Sequence, residues 1–262
     1  MSTLQIILSI FSGSLVGLSL GLIGGGGSIL AVPLLVYVIG VSPHMAIGTS
    51  AVAVAASALF NLGAHARAQT VKWPCAVVFA ISGILGAALG AQLGKVVDGQ
   101  KLLVGFGVLM MSIAALMLRP RRGGDDPDVR LSVETAPRLL VPLAATGFGV
   151  GALSGFFGIG GGFLIVPGLV SATAMPLLNA IGSSLVSVAA FGATTAVSYA
   201  LSGLVDWPIA ALFVGGSVLG GFAGISFSTR LARKKQVLNR VFSAVVALVG
   251  LYVAARGLLG LV

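Results

Sequence analysis

From Trp73 to Leu93, and again from Leu102 to Leu118, the chain runs without a charged residue. A helix needs ~20 such residues to cross ~30 Å of hydrocarbon. The rest of the chain is built alike. Of its 262 residues, 57% are hydrophobic and 8% charged, where a soluble domain carries about 25% charge. Too little charge remains to clothe a soluble surface, so lipid is the expected solvent. In lipid every peptide N–H and C=O must be satisfied within the protein, which leaves helices or closed barrels. A barrel would alternate polarity in ~10-residue stretches, and these stretches are continuous. The expected class is an all-α, polytopic membrane protein.

Composition narrows the function. The single cysteine, Cys75, excludes an internal disulfide and a multi-cysteine metal or cluster site. The net charge of +9 could suggest nucleic acid. The basic residues lie mostly between apolar segments, however, where they read as topogenic charges on the cytoplasmic face. The N-terminal stretch, residues 1–22, lacks a basic leader region and a small-residue cleavage site, and reads as a retained helix. The expected location is the cell (inner or plasma) membrane, with the bilayer and a small solute as partners and no nucleic acid. A homo-oligomer is compatible with the pattern.

One polar stretch divides the chain. Residues 119–138 hold five arginines, Asp125, Asp126, Asp128, Glu134 and three prolines, and read as a cytoplasmic linker. It separates a first transmembrane repeat, 1–118, from a second, 139–262. Shifted by 134 positions, residues 17–74 fall on 151–208 without a gap. Gly24, Gly26, Gly27 and Pro33 meet Gly158, Gly160, Gly161 and Pro167; Ala46-Ile47-Gly48-Thr49-Ser50 meets Ala180-Ile181-Gly182-Ser183-Ser184; Trp73-Pro74 meets Trp207-Pro208. Low complexity can align glycines and alanines, but not Trp-Pro in the same register. Internal duplication is a signature of transporter folds. Each repeat holds about four apolar segments: roughly 5–39, 44–66, 73–97 and 101–118, then 139–171, 177–201, 207–229 and 237–261. The first of each is too long for one plain helix and should break at its glycines. Arg67 and Lys72 precede Trp73 while only Asp206 precedes Trp207, and the loop after the third segment is strongly basic only in the second repeat. Under the positive-inside rule matching loops then lie on opposite sides, so the repeats are expected to be inverted.

The glycine runs, Gly24-Gly25-Gly26-Gly27-Ser28 and Gly158-Ile159-Gly160-Gly161-Gly162, carry the chemistry. Unwound backbone at membrane depth is tolerated where it is buried or lines a polar cavity. The N–H groups of the half-helix that follows carry partial positive charge and favour an anion. Close packing through small residues is the competing reading, but each glycine costs about 1 kcal/mol of helix propensity, which makes a run of four excessive for packing alone. A dinucleotide loop would need a preceding strand and an acidic residue ~20 positions later, and neither run has one. The second segment of each repeat adds a polar stripe: Ser50, Ser57, Asn61 and His65 in one, and Ser183, Ser187, Thr194 and Ser198 in the other, with Thr195 and Tyr199 at the positions of Asn61 and His65. These groups could bond a small oxyanion, or bond back to their own helix. His65 invites a proton-coupling role, although its place near Arg67 suits an interfacial histidine. No carboxylate lies inside an apolar span, which disfavours a cation substrate. No cofactor or metal is implied. The signatures of an intramembrane serine protease or a zinc protease are missing, so the chain does not read as an enzyme.

With its duplicated glycine motif, its Ala-Ile-Gly-[Thr/Ser]-Ser runs and its Trp-Pro pairs, the chain resembles the TauE/SafE family of membrane permeases over nearly its whole length. That family is associated with export or uptake of sulfur-containing anions such as sulfite and small organosulfonates. The resemblance implies that Gly24 to Ser28, Thr49, Ser50, Gly158 to Gly162, Ser183 and Ser184 frame the site. The second run has Ile159 and Gly162 where the first has Gly25 and Ser28, so the site would be only pseudo-symmetric. An anion leaving a negative cell interior needs no coupling ion, since each charge gains about 2.3 kcal/mol per 100 mV. A coupled importer using His65 and a non-transporting assembly factor are the alternatives.

Overall fold

The computed structural model describes residues 3–23, 25–118, 135–160, 162–231 and 235–259, the side chains of 21–23, 25–27, 117–118, 225–231 and 235–242 excepted. Among them every regular element is helical. The first half holds α1 (Thr3–Ile23), a 3-10 stretch (Gly25–Leu30), α2 (Ala31–Leu34), a π-helical turn (Leu35–Ile39), α3 (Pro43–Arg67), α4 (Trp73–Val96) and α5 (Gly99–Leu118). The second holds α6 (Ala136–Phe157), α7 (Gly162–Thr173), α8 (Leu177–Leu201), α9 (Trp207–Leu231) and α10 (Lys235–Leu259). Among the described residues seven helices are long and apolar enough to cross a membrane, and the protein is a multi-pass membrane protein. The first apolar segment of each half divides at its glycines, so each half has more helical elements than the four apolar segments suggest. Residues 119–134 of the expected linker lie outside the described residues, and α6 already begins at Ala136, with Pro137 in its first turn, where a proline's missing N–H costs nothing.

Helices from the two halves pair with one another: α1 packs on α9, α4 on α6, α3 on α8 and α5 on α10. Glycine makes these approaches possible. In lipid no hydrophobic force drives helices together, and small residues let backbones come close enough for packing to do so. Gly13 and Gly17 of α1 lie against the carbonyls of Phe213 and Ser217 of α9, with no room for a β-carbon. Gly147 and Gly151 of α6 lie against the carbonyls of Phe79 and Gly83 of α4 in the same way. Each of these four contacts is related to its counterpart by the 134-residue offset. In both pairs residue numbers rise together, so the helices run parallel. The other two pairs are antiparallel. Gly48 of α3 meets Tyr199 of α8 while Gly192 meets Ala51 and Ala55, and Gly107 of α5 meets Gly250 of α10 while Gly257 meets Val104.

The offset extends to the backbone of the turns. Gly40 has φ 82° and Ala174 φ 57°; Gln69 has φ 53° and Gly203 φ 70°. Two non-glycine residues thus hold a left-handed conformation that their counterparts in the other half adopt as glycine.

Candidate functional site

The break in the second half is built by two glycines in the left-handed region, Gly158 at φ 67° and Gly160 at φ 63°. For any other residue this conformation costs roughly 1–2 kcal/mol. Gly158 caps α6, and the N–H of Ile159 bonds back to the Ser154 carbonyl at 3.2 Å. Both glycines are pressed against α3 of the other half: a β-carbon on Gly158 would meet Ile47, and one on Gly160 would meet Val54. The Ser50 hydroxyl, also on α3, is directed at two carbonyls, Ile47 at 2.9 Å and Gly158 at 3.0 Å. Its counterpart Ser184 donates to Ile181 at 2.8 Å. In the first half Gly25, Gly26, Gly27 and Ser28 lie in the 3-10 stretch, Ser28 is fully buried, and the stretch packs against α7. The two breaks therefore approach one another. Ile29 and Ile159, both fully buried, join Ile47 and Phe163 in one apolar cluster, so apolar side chains fill the meeting point in this conformation. Gly162, buried, opens α7. Gly24 and Gly161 lie outside the described residues.

The polar groups of the two stripes, with Thr49 beside them, divide into three kinds. Thr49 and Ser183 hold the opposite half: the Thr49 hydroxyl oxygen accepts the Asp206 N–H at 3.0 Å, and that of Ser183 accepts the Lys72 N–H at 2.8 Å. These bonds are again counterparts at an offset of 134. A second kind is bonded within α3 or α8 or to a neighbour. Ser57 donates to Ala53 at 2.7 Å and shares a 2.7 Å contact with Ser217 of α9. The Asn61 amide donates to Ser57 at 3.0 Å, and Thr194 to Ala190 at 2.8 Å. His65 sits in the last turn of α3 with Nδ1 2.9 Å from the Thr70 hydroxyl, away from the breaks. The third kind is buried without a partner among the described residues: Ser187, Thr195, Ser198 and Tyr199, all named with the stripe, and Ser154 on α6 outside it.

One group that the sequence analysis does not single out is Lys95. It lies in the last turn of α4, beside an open cleft of about 460 Å³ between α4 and α8, whose polar lining is Gln92, Lys95, Thr194, Ser198 and Ser202. The signal was present in the sequence: Gln92 and Lys95, three apart, are the only long polar side chains in the second half of α4. Among the described residues no three histidine, cysteine or carboxylate side chains gather as a metal site would require.

The profile of a family described as sulfite exporter TauE/SafE matches residues 9–253. A probable membrane transporter protein of Xylella fastidiosa is 51% identical over the full length of both chains. The probable membrane transporter protein YunE of Bacillus subtilis is 29% identical, over 97% of this chain and 99% of its own. YjnA of the same organism, also named a probable membrane transporter protein, is 26% identical, over 96% of this chain and 99% of its own. No solved structure matches.

Proposed function

The chain belongs to the sulfite exporter TauE/SafE family and is a membrane transporter, and from that premise we propose that it exports small anions, sulfite or small organosulfonates first among them, by alternating access under the membrane potential. The observation that carries this reading is the Gly158–Gly160 break, unwound backbone in an apolar bundle and seated on α3 of the other half. The N–H groups at the start of α7 and in the first glycine stretch would hold the anion, since helix N-termini carry partial positive charge. Ser50, Thr49, Ser183 and Ser184 would set the backbone that does so. Ser57, Asn61, Ser187, Thr194 and Thr195 would line the way to it.

The repeats are read as inverted. Matching helices α3 and α8 pack antiparallel, as do α5 and α10. A two-fold relation between antiparallel partners has its axis across the helices, in the plane of the membrane, which is the arrangement of many transporters. Following the helix directions, the ends that meet Arg67, Lys72, the 119–135 connection and the basic connection after α9 share one side. Lys95, Lys101 and Arg256 are left on the other. That division agrees with the positive-inside rule. Alternating access would then exchange two equivalent arrangements, each half opening in turn around the breaks, with the apolar plug of Ile29 and Ile159 parting.

The test is flux from proteoliposomes loaded with sulfite or a C2 sulfonate. Release should quicken when the interior is made negative. A response to a pH gradient without a response to voltage refutes uncoupled export, and no flux of any small anion removes the transport reading for these substrates.

A further inference from the structure

We propose that the cleft beside Lys95 is a binding site for a small oxyanion, forming the mouth of the permeation path on the side away from the basic loops. The inference rests on the transport reading for its role, though not for its chemistry. The Lys95 ammonium lies 3.1 Å from the Ser202 hydroxyl and 3.3 Å from the Ser198 carbonyl, and 6.0 Å from the centre of the Tyr199 ring. An ammonium has three donors, and two are engaged among the described residues. The third is available to an anion, where a charge-assisted bond is about twice as strong as a neutral one. Gln92 and Thr194 line the same cleft, and no carboxylate does, so the site selects for negative charge.

A second, independent observation points inward from this cation. The hydroxyls of Ser187, Thr195, Ser198 and Tyr199, all on α8, are buried and have no partner among the described residues, and Ser187, Thr195 and Tyr199 are fully buried residues. An unsatisfied buried hydroxyl costs about 1–3 kcal/mol. The four fall within about a third of the circumference of α8 and are groups that a passing oxyanion or its water would satisfy. Of the four, Ser198 lines the cleft, and the Tyr199 hydroxyl lies behind it beside Gly94, the neighbour of Lys95. This continuation into the protein favours a solute over a lipid headgroup, which an acyl chain would anchor at the cleft's outer wall, by Val197 and Leu201.

The experiment follows acylation of Lys95 by an amine-reactive reagent, read by peptide mass spectrometry on purified full-length protein. The probes are sulfate and 2-hydroxyethanesulfonate, with chloride as the blank and exposed Lys101 as the internal control. At ten times its Kd, either probe should slow labelling of Lys95 about tenfold and leave Lys101 unchanged. Anion-dependent thermal stabilisation should persist in Lys95→Arg, vanish in Lys95→Met, and weaken in Thr195→Val. Equal protection of both lysines, or none, overturns the proposal. So does protection that appears only in nanodiscs containing anionic phospholipid, which would assign the cleft to a headgroup. Protection without flux leaves the site standing and removes the transport role. Flux with Lys95 unprotected does the reverse.

Discussion

The Ser50 hydroxyl on α3 lies 3.0 Å from the Gly158 carbonyl, in the helix break of the opposite half. That carbonyl is one that α6 leaves without an intrahelical donor when it ends. Ser50→Ala therefore strands a buried acceptor, at a cost of about 1–3 kcal/mol. The thermal midpoint in detergent should fall accordingly. An unchanged midpoint would mean that the Ile47 carbonyl is the real partner of Ser50.

Glycine at the break is required twice over, by its backbone conformation and by the nearness of α3. Gly158→Ala and Gly160→Ala should each cost at least the roughly 1–2 kcal/mol of a left-handed alanine and abolish flux. Gly149→Ala, on α6 with nothing near its added carbon, should be neutral or stabilising by up to about 1 kcal/mol of helix propensity. Equal effects at Gly149 and Gly158 would contradict the break as described.

The left-handed turns offer a reciprocal pair. A β-carbon on Gly40 would touch nothing within 4 Å, so Gly40→Ala should cost only the conformational penalty of roughly 1–2 kcal/mol. Ala174→Gly, at the counterpart position, removes that penalty and loses about 0.5–1 kcal/mol to chain entropy, for a small net gain. Thermal unfolding of both variants checks the signs; a destabilised Ala174→Gly sinks the equivalence.

Inversion is open to direct measurement. Ala68 and Ser202 are both exposed and occupy matching positions in the two halves. Single cysteines there should react with an impermeant maleimide from opposite faces of the membrane, with the wild-type chain, whose Cys75 is buried, as the blank. Labelling of both from one face means parallel repeats.

His65 is tied to Thr70 in the last turn of α3, remote from the breaks. His65→Ala should leave the pH dependence of flux unaltered. A lost proton dependence would restore the coupled importer.

The helices and the places where two of them break were legible because apolar length and glycine runs act locally. The pairing of α1 with α9 and of α4 with α6 was not, because the four-residue spacing of Gly13 and Gly17, or of Gly147 and Gly151, marks a packing face without naming the helix that meets it. The spacing of the stripes leaves two readings open, a face for an oxyanion or bonds back to the helix. The structure separates them: Thr49 and Ser183 bond turns of the opposite half, while Ser187 and Thr195 bond nothing among the described residues. Spacing puts hydroxyls on a face without saying what the facing helix offers them. Lys95 escaped notice because a lysine at a helix end is ordinary until a cleft is seen beside it.

The partnership of Gly17 with Ser217 has a consequence for biosynthesis. About 200 residues separate them, and at about 5–20 residues per second the ribosome needs on the order of ten seconds or more to supply the second helix after the first. Through that interval the N-terminal helix waits with its seam against lipid or a chaperone. An emerging chain cut short before Trp207 would leave the seam open for good, marking such fragments for quality control.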